Sequence, residues 1–257
     1  LSETSWFFLR GLSRESGHWC DFLSAFSQHF PLAGMVPMDL PGSGSYRSEE
    51  SPTSIEACTD SLRARYLVNS GAQKKFLLAM SLGGMIALDW ARRYPDDFAG
   101  IVIINCSLNG LSPWYHRLKP SALAALCVAV FSPGYKLGEK IILARVSNLR
   151  PLRQNVLDTW QTLARDRPIS FRNSLRQLFA ARRFRLTKAP HKNHLLLLAS
   201  TNDRLVDCRC SERLAEFLGE PLVLHPTAGH DLALDDAPWV SSQVRNWLER
   251  KNGIKNQ

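Results

Sequence analysis

Residues 76–84 read Phe76-Leu77-Leu78-Ala79-Met80-Ser81-Leu82-Gly83-Gly84: an apolar run, one serine, then small residues. Phe76 to Met80 predicts a buried strand, and Leu82 to Tyr94, stopped by Pro95, predicts a helix. A hydroxyl at the joint between the two is the arrangement that presents a nucleophilic serine. The backbone at such a joint is strained, so the side chains two before and two after the serine have to be small. Here they are Ala79 and Gly83. The usual spacing is Gly-x-Ser-x-Gly, from which Ala79 departs by one methyl group. The helix that follows points its N-terminus at the serine, where backbone N–H groups stabilise developing negative charge. A serine that only caps a helix would give part of this pattern, so its partners have to decide.

Working outward, short apolar runs alternate with helical patterns, as in βαβ units with a parallel sheet. Trp6 to Leu9 predicts a first strand running into the loop Arg10-Gly11-Leu12, and Trp19, Phe22, Leu23 and Phe26 share one face of a helix. Met35 to Leu40 predicts a second strand whose pairing is interrupted at Pro37, emptying into the turn Pro-Gly-Ser-Gly. Thr53 and Glu56 form a capping box for a helix burying Ile55, Cys58 and Leu62. Further strands are predicted at Gly100 to Asn105, Leu195 to Ala199 and Leu222 to Leu224. Asp236 and Pro238 open a last helix, with Trp239, Val240, Val244, Trp247 and Leu248 on one face.

Residues 111–190 carry helical patterns only. Leu152, Val156, Leu157 and Trp160 form one stripe, and Phe171, Leu175, Leu178 and Phe179 another. The apolar run at 122–131 is expected to be a buried or cap helix, being far shorter than the ~18 residues of a membrane span. The chain of 257 residues therefore divides into an α/β core, 1–110 with 191–257, and a helical lid, 111–190.

A serine nucleophile needs a base to take its proton and a carboxylate to orient that base. In a sheet of this class they follow in the order serine, acid, histidine. Asp203 stands just beyond the strand at 195–199, and His230 in the loop after the strand at 222–224. Both lie at strand C-terminal ends, where a parallel sheet keeps its active site. Asp207 competes with Asp203 but is placed to cap the helix ending near Gly219, while His225, His191 and His194 lie in or beside strands and suit structural roles.

The elbow at Ser81, Asn-Asp-Arg-Leu-Val at 202–206 and Ala-Gly-His-Asp-Leu-Ala-Leu at 228–234 together resemble the α/β-hydrolase family. The segment Phe7 to Trp19 is similar to that family's oxyanion-hole loop, with Arg10 where a histidine is usual, and Met38 to Gly44 is similar to its Asp-x-Pro-Gly-x-Gly turn. The resemblance implies backbone N–H groups of Leu12 and Leu82 as the oxyanion hole. Five residues before Trp6 leave no room for the family's two leading antiparallel strands. Haloalkane dehalogenases and epoxide hydrolases of this family carry aspartate at the elbow, so Ser81 implies acyl transfer to water. Ser-Leu-Gly-Gly, Asp-Leu-Pro-Gly-Ser-Gly and a short lid are similar to the small carboxylesterases, including those acting on pimeloyl-carrier-protein methyl ester.

The net charge of +9 is uneven: residues 111–190 hold 15 Lys and Arg against three Asp and Glu, and the flanks are near neutral. Arg172, Arg176 and Arg183 fall on one helical face. A solvated face is one reading; docking of an acidic acyl carrier protein is the sharper one. An anionic membrane surface is a third. Nucleic acid is disfavoured because no recognition motif accompanies the charge. The six cysteines show no CxxC pair, which favours reduced thiols in a cytoplasmic protein. No secretion signal is seen. No cofactor or metal is expected, and the substrate class is a small acyl ester or thioester. The competing class, a non-catalytic binding protein on the same fold, is disfavoured by the intact set Ser81, Asp203 and His230.

Overall fold

The computed structural model describes residues 4–67, 71, 73–149, 154–190 and 194–251. Its six strands are β1 (Thr4–Leu9), β2 (Gly34–Met38), β3 (Lys74–Met80), β4 (Gly100–Ile104), β5 (His194–Ser200) and β6 (Leu222–His225). They form one sheet in the order β2-β1-β3-β4-β5-β6, and every neighbouring pair is parallel. Three core helices come first: α1 (Phe22–His29), α2 (Ile55–Tyr66) and α3 (Leu82–Arg93). Between β4 and β5 lie α4 (Trp114–Arg117), α5 (Pro120–Val130), α6 (Tyr135–Val146), α7 (Gln154–Asp166) and α8 (Phe171–Arg183). The chain closes with α9 (Arg209–Leu218), α10 (Leu232–Asp235) and α11 (Ala237–Lys251).

Alternation along the strands builds two cores. Phe7, Leu77, Ile101 and Leu197 pack against Leu62 of α2, Ile86 of α3 and Leu214 of α9. Their neighbours Phe8, Leu78, Val102 and Leu198 pack on the other face, against Phe22 and Phe26 of α1 and Val244 of α11. Each such side chain contributes about 1.5–3 kcal/mol on full burial, so the strand ends are held on both sides. Sequential connections run one way from β1 to β2 and the other way from β3 to β4. The crossover crevice therefore opens between the C-terminal ends of β1 and β3, where an open α/β sheet keeps its ligand site.

Several local expectations shift. β2 is an edge strand, where proline is tolerated, and Pro37 stays in register opposite Phe8, so the ladder continues through it. The helix expected around Trp19 breaks in two. A 3-10 turn spans Ser16–Trp19, Cys20 takes φ 46°, and α1 begins only at Phe22. The cap of α2 is Ser54 rather than Thr53, its side chain accepting from the Ala57 N–H at 3.2 Å. Cys208 rather than Asp207 precedes α9, although the Asp207 carboxylate still accepts from the Arg209 N–H at 3.1 Å.

In the insert, Val156, Leu157 and Trp160 of α7 pack with Leu143 and Val146 of α6 and Leu234 of α10. Leu152 of the same predicted stripe, like His191, lies outside the described residues. α5 buries only Ala122 and Ala129, so it is a cap rather than a core helix. The second predicted stripe, on α8, faces outward. Among the described residues no helix is long and apolar enough to cross a membrane.

Candidate active site

β3 delivers Ser81 to the crevice. Ser81 takes φ 53° and ψ −116°, a conformation that costs an L-residue on the order of 1–3 kcal/mol and persists only where surroundings enforce it. Three main-chain bonds do so. Its N–H donates to the Ile104 carbonyl at 2.9 Å, and its carbonyl accepts from the N–H groups of Gly84 and Met85 at 3.0 and 3.3 Å. The small neighbours are required by backbone, not by side chains: a Cβ on Gly83 would lie 2.7 Å from the carbonyl oxygens of both Leu9 and Arg10. Ala79 is fully buried opposite Leu9 and Ile103, and its methyl is accommodated.

The loop after β1 lies against the serine. A Cβ on Gly11 would come 3.1 Å from Ser81 Cβ, a tight contact, and 3.6 Å from its Oγ, so this backbone lies close against the serine. Leu12 follows in that loop, and Leu82 opens α3, whose first N–H groups have no partner within the helix. The two residues expected to supply the oxyanion-hole N–H groups thus directly follow Gly11 and Ser81 in the chain.

The loops after β5 and β6 bring together Asp203 and His230, the expected acid and base. His230 Nδ1 and Asp203 Oδ2 are 2.6 Å apart, and the two residues are 6% and 2% exposed. The other carboxylate oxygen accepts from the backbone N–H groups of Leu205 and Val206 at 2.7 and 2.9 Å, which fixes the orientation of the carboxyl group. Asp207 is engaged elsewhere. Its carboxylate pairs with Arg209 at 2.8 Å, and that hydrogen bond holds it well below the usual carboxylate range. His225 accepts from the N–H of Ala228 at 2.9 Å and meets Asp236 at 3.1 Å, a bracket for the loop that carries His230. His194 opens β5 and is exposed.

Two residues with positioning roles were not legible in the sequence. Asn105, at φ 48° just past β4, donates to the His230 carbonyl at 2.8 Å and accepts from the Ser200 N–H at 2.9 Å. It ties the histidine loop to β5. Arg10 forms a two-pronged ion pair with Asp231, Nη1 to Oδ1 at 3.1 Å, and its Nη1 also lies 3.4 Å from Met80 Sδ. It therefore links Met80, the residue before Ser81, to Asp231, the residue after His230. Both partners are nearly inaccessible, with side chains 5% and 3% exposed. Removing the cation strands a buried carboxylate, so Arg10→Ala is expected to cost about 3–5 kcal/mol. Denaturant unfolding measures it; a loss under about 1 kcal/mol would contradict this role.

Beside the loop after β1 a cleft of about 190 Å³ is lined by Ser13, Arg14, His18, Glu139 and Arg167 among others, and by none of Ser81, Asp203 or His230. Burial, then the Arg14 and Arg10 guanidinium groups, push the His18 imidazole well below its usual range, so it stays neutral there. The three expected lid arginines lie on α8 and have partners within the chain. Arg172 and Arg176 share Glu50 at 2.9 and 3.3 Å, Arg176 also donates to the Ser51 carbonyl, and Arg183 lies over the Phe179 ring. Among the described residues no group of three or more His, Cys, Asp or Glu could hold a metal ion.

Similarity to known proteins agrees with this fold. The esterase of Thermogutta terrifontis superposes with a TM-score of 0.69 at 20% identity, covering 96% of this chain and 90% of that one. An esterase of Exiguobacterium antarcticum gives 0.76 at 13% identity, covering 96% and 92%. ClbQ from the colibactin NRPS/PKS pathway gives 0.65 at 11% identity, covering 98% and 99%. No curated protein matches the chain in sequence. The sequence does match the alpha/beta hydrolase family from residue 6 to residue 242. The chain therefore belongs to the alpha/beta hydrolase family.

Proposed function

We propose that this protein hydrolyses carboxylic esters through a covalent acyl-enzyme, with Ser81 as nucleophile, His230 as base and Asp203 as the orienting acid. The observation that carries the reading is the 2.6 Å contact between His230 Nδ1 and Asp203, made by loops at the same sheet edge that presents Ser81. With Nδ1 committed to the carboxylate, Nε2 is the nitrogen left to take the Ser81 proton. Ser81 Oγ then attacks the ester carbonyl carbon, and the carbonyl oxygen becomes an oxyanion received by the N–H groups of Leu12 and Leu82. Collapse expels the alcohol, which takes the proton from His230. Water repeats the sequence on the acyl-enzyme, releasing the acid and restoring Ser81.

Several structural neighbours are named esterases, which makes an ester the first substrate to try. The test is a panel of p-nitrophenyl esters of graded acyl length with matched thioesters. Turnover of at least one ester, with a rapid first release of p-nitrophenol equal to the enzyme present, is the expected result. Hydrolysis confined to the thioesters would move the protein to thioester chemistry on the same residues. No turnover on either series would leave a binding protein on a hydrolase fold.

A further inference from the structure

α8 presents the wrong face to solvent for a helix that merely covers a core. At about 100° per residue, Phe171, Leu175, Leu178 and Phe179 lie within one arc of about 100°. They are 58%, 48%, 42% and 45% exposed. The opposite side is polar and buried: Asn173 and Gln177 are 5% and 1% exposed. Asn173 accepts from the Ser51 N–H at 2.9 Å and donates to the Glu49 carbonyl at 2.9 Å. Gln177 accepts from the Ser13 N–H at 2.9 Å and donates to Ser43 Oγ at 3.0 Å. These bonds fix which way the helix faces. It cannot roll its apolar side inward without stranding them.

The exposed arc carries charge of one sign. α8 has no acidic residue; Arg182 falls inside the arc, and Arg172 and Arg183 on its flank. Arg172 stays 73% exposed beside Glu50, the one carboxylate it shares with Arg176. Next to the last turn of α8, Arg117 donates to the Ala181 carbonyl at 2.7 Å, fixing α4 there with Trp114 and Tyr115 65% and 49% exposed. α5 follows with no charged side chain, and Val128, Val130 and Phe131 are 59%, 54% and 82% exposed. Of the fourteen large hydrophobic side chains exposed among the described residues, twelve lie in this insert.

We propose that the outer face of the insert, centred on α8, docks on an anionic lipid bilayer surface. The apolar arc would lie at the headgroup–acyl boundary, with Arg172, Arg182 and Arg183 on lipid phosphates. The exposed Trp114 and Tyr115 are the residue types that settle at that boundary. Charge complementarity selects this occupant. A second copy of the chain would set arginine against arginine with no acid on α8 to answer it. An acidic carrier protein would satisfy the arginines and leave the apolar arc in water.

The test is co-sedimentation of the full chain with vesicles of phosphatidylcholine alone, or mixed with phosphatidylglycerol. The wild type is expected to bind only the anionic vesicles. Arg172→Gln/Arg183→Gln should weaken binding roughly 30-fold, from about 1 kcal/mol per surface cation. Leu175→Gln/Leu178→Gln should weaken it by roughly tenfold or more, since both side chains lose their apolar contact. Both variants should melt with the wild type, because these side chains already face water. Absence of binding to either vesicle, or equal binding to both, would overturn the proposal. So would a dimer by light scattering that the leucine variant abolishes. Capture of an acidic carrier protein that the arginine variant alone loses, without vesicle binding, would assign the charge to that partner instead.

Discussion

Ser81→Ala is expected to lower ester turnover on the order of 10³-fold or more while leaving the melting temperature unchanged. The two halves of that expectation have separate grounds. In the proposed covalent mechanism, removing Oγ removes the atom that attacks. The strained turn, by contrast, is held by main-chain bonds to Ile104, Gly84 and Met85 that alanine keeps. Alanine also adopts φ 53° at a cost close to that of serine. Full activity in a clean Ser81→Ala preparation would remove Ser81 from the chemistry. A large fall in melting temperature would mean that the hydroxyl has a structural part instead.

His230→Gln is expected to cost as much, because nucleophile and base act as a unit. The double variant Ser81→Ala/His230→Gln should be little worse than either single one. His225→Gln is the control that separates the two histidines. His225 brackets its loop through Ala228 and Asp236, so its loss should appear as about 1–3 kcal/mol of stability rather than in the rate of a folded sample. Asp203→Asn should likewise fall far below Asp207→Asn in kcat/KM, since Asp207 is committed to Arg209. The reverse order in either pair would reassign the base or the acid.

What the sequence discloses and what it hides follow from the range of the interactions involved. The elbow is legible because its signature is contiguous, Ser81 between the small residues Ala79 and Gly83, even though the backbone that Gly83 has to clear lies at the end of β1, at Leu9 and Arg10. Asp203 and His230 are legible because a parallel sheet puts strand ends on one edge, whatever the helices do. Arg10 is read in sequence only as a substitute for a histidine; its partner Asp231 lies 221 positions further on. Asn105 is hidden for the same reason, since nothing near it in the chain announces its bond to His230. The α8 stripe shows a different limit. Periodicity finds the apolar arc but not which side of the helix the protein faces. That choice was made by unpaired backbone groups at Ser13, Glu49 and Ser51, which take Asn173 and Gln177 as partners. Arg176 was visible as surface charge, yet it donates to the Ser51 carbonyl and helps hold α8 down.

The helix boundaries that moved have equally plain causes. Thr53 and Ser54 are both good caps, and which one bonds is settled by a single residue of phase. Around Trp19 the apolar spacing of one helix is present, but the Glu15 N–H donates to His18 Nδ1 at 3.2 Å and tightens the chain into a 3-10 turn before α1 can start.

The central claim is that Ser81 is an activated nucleophile, and a fluorophosphonate probe tests it without any choice of substrate. Attack by Ser81 Oγ on phosphorus would expel fluoride and leave a stable phosphonyl-serine. Intact mass should show one adduct per chain, and peptide mapping should place it on Ser81. Labelling should vanish in Ser81→Ala and drop sharply in His230→Gln, because the base is what makes the hydroxyl reactive. No adduct on the folded wild type, or an adduct that persists in Ser81→Ala, would contradict the account.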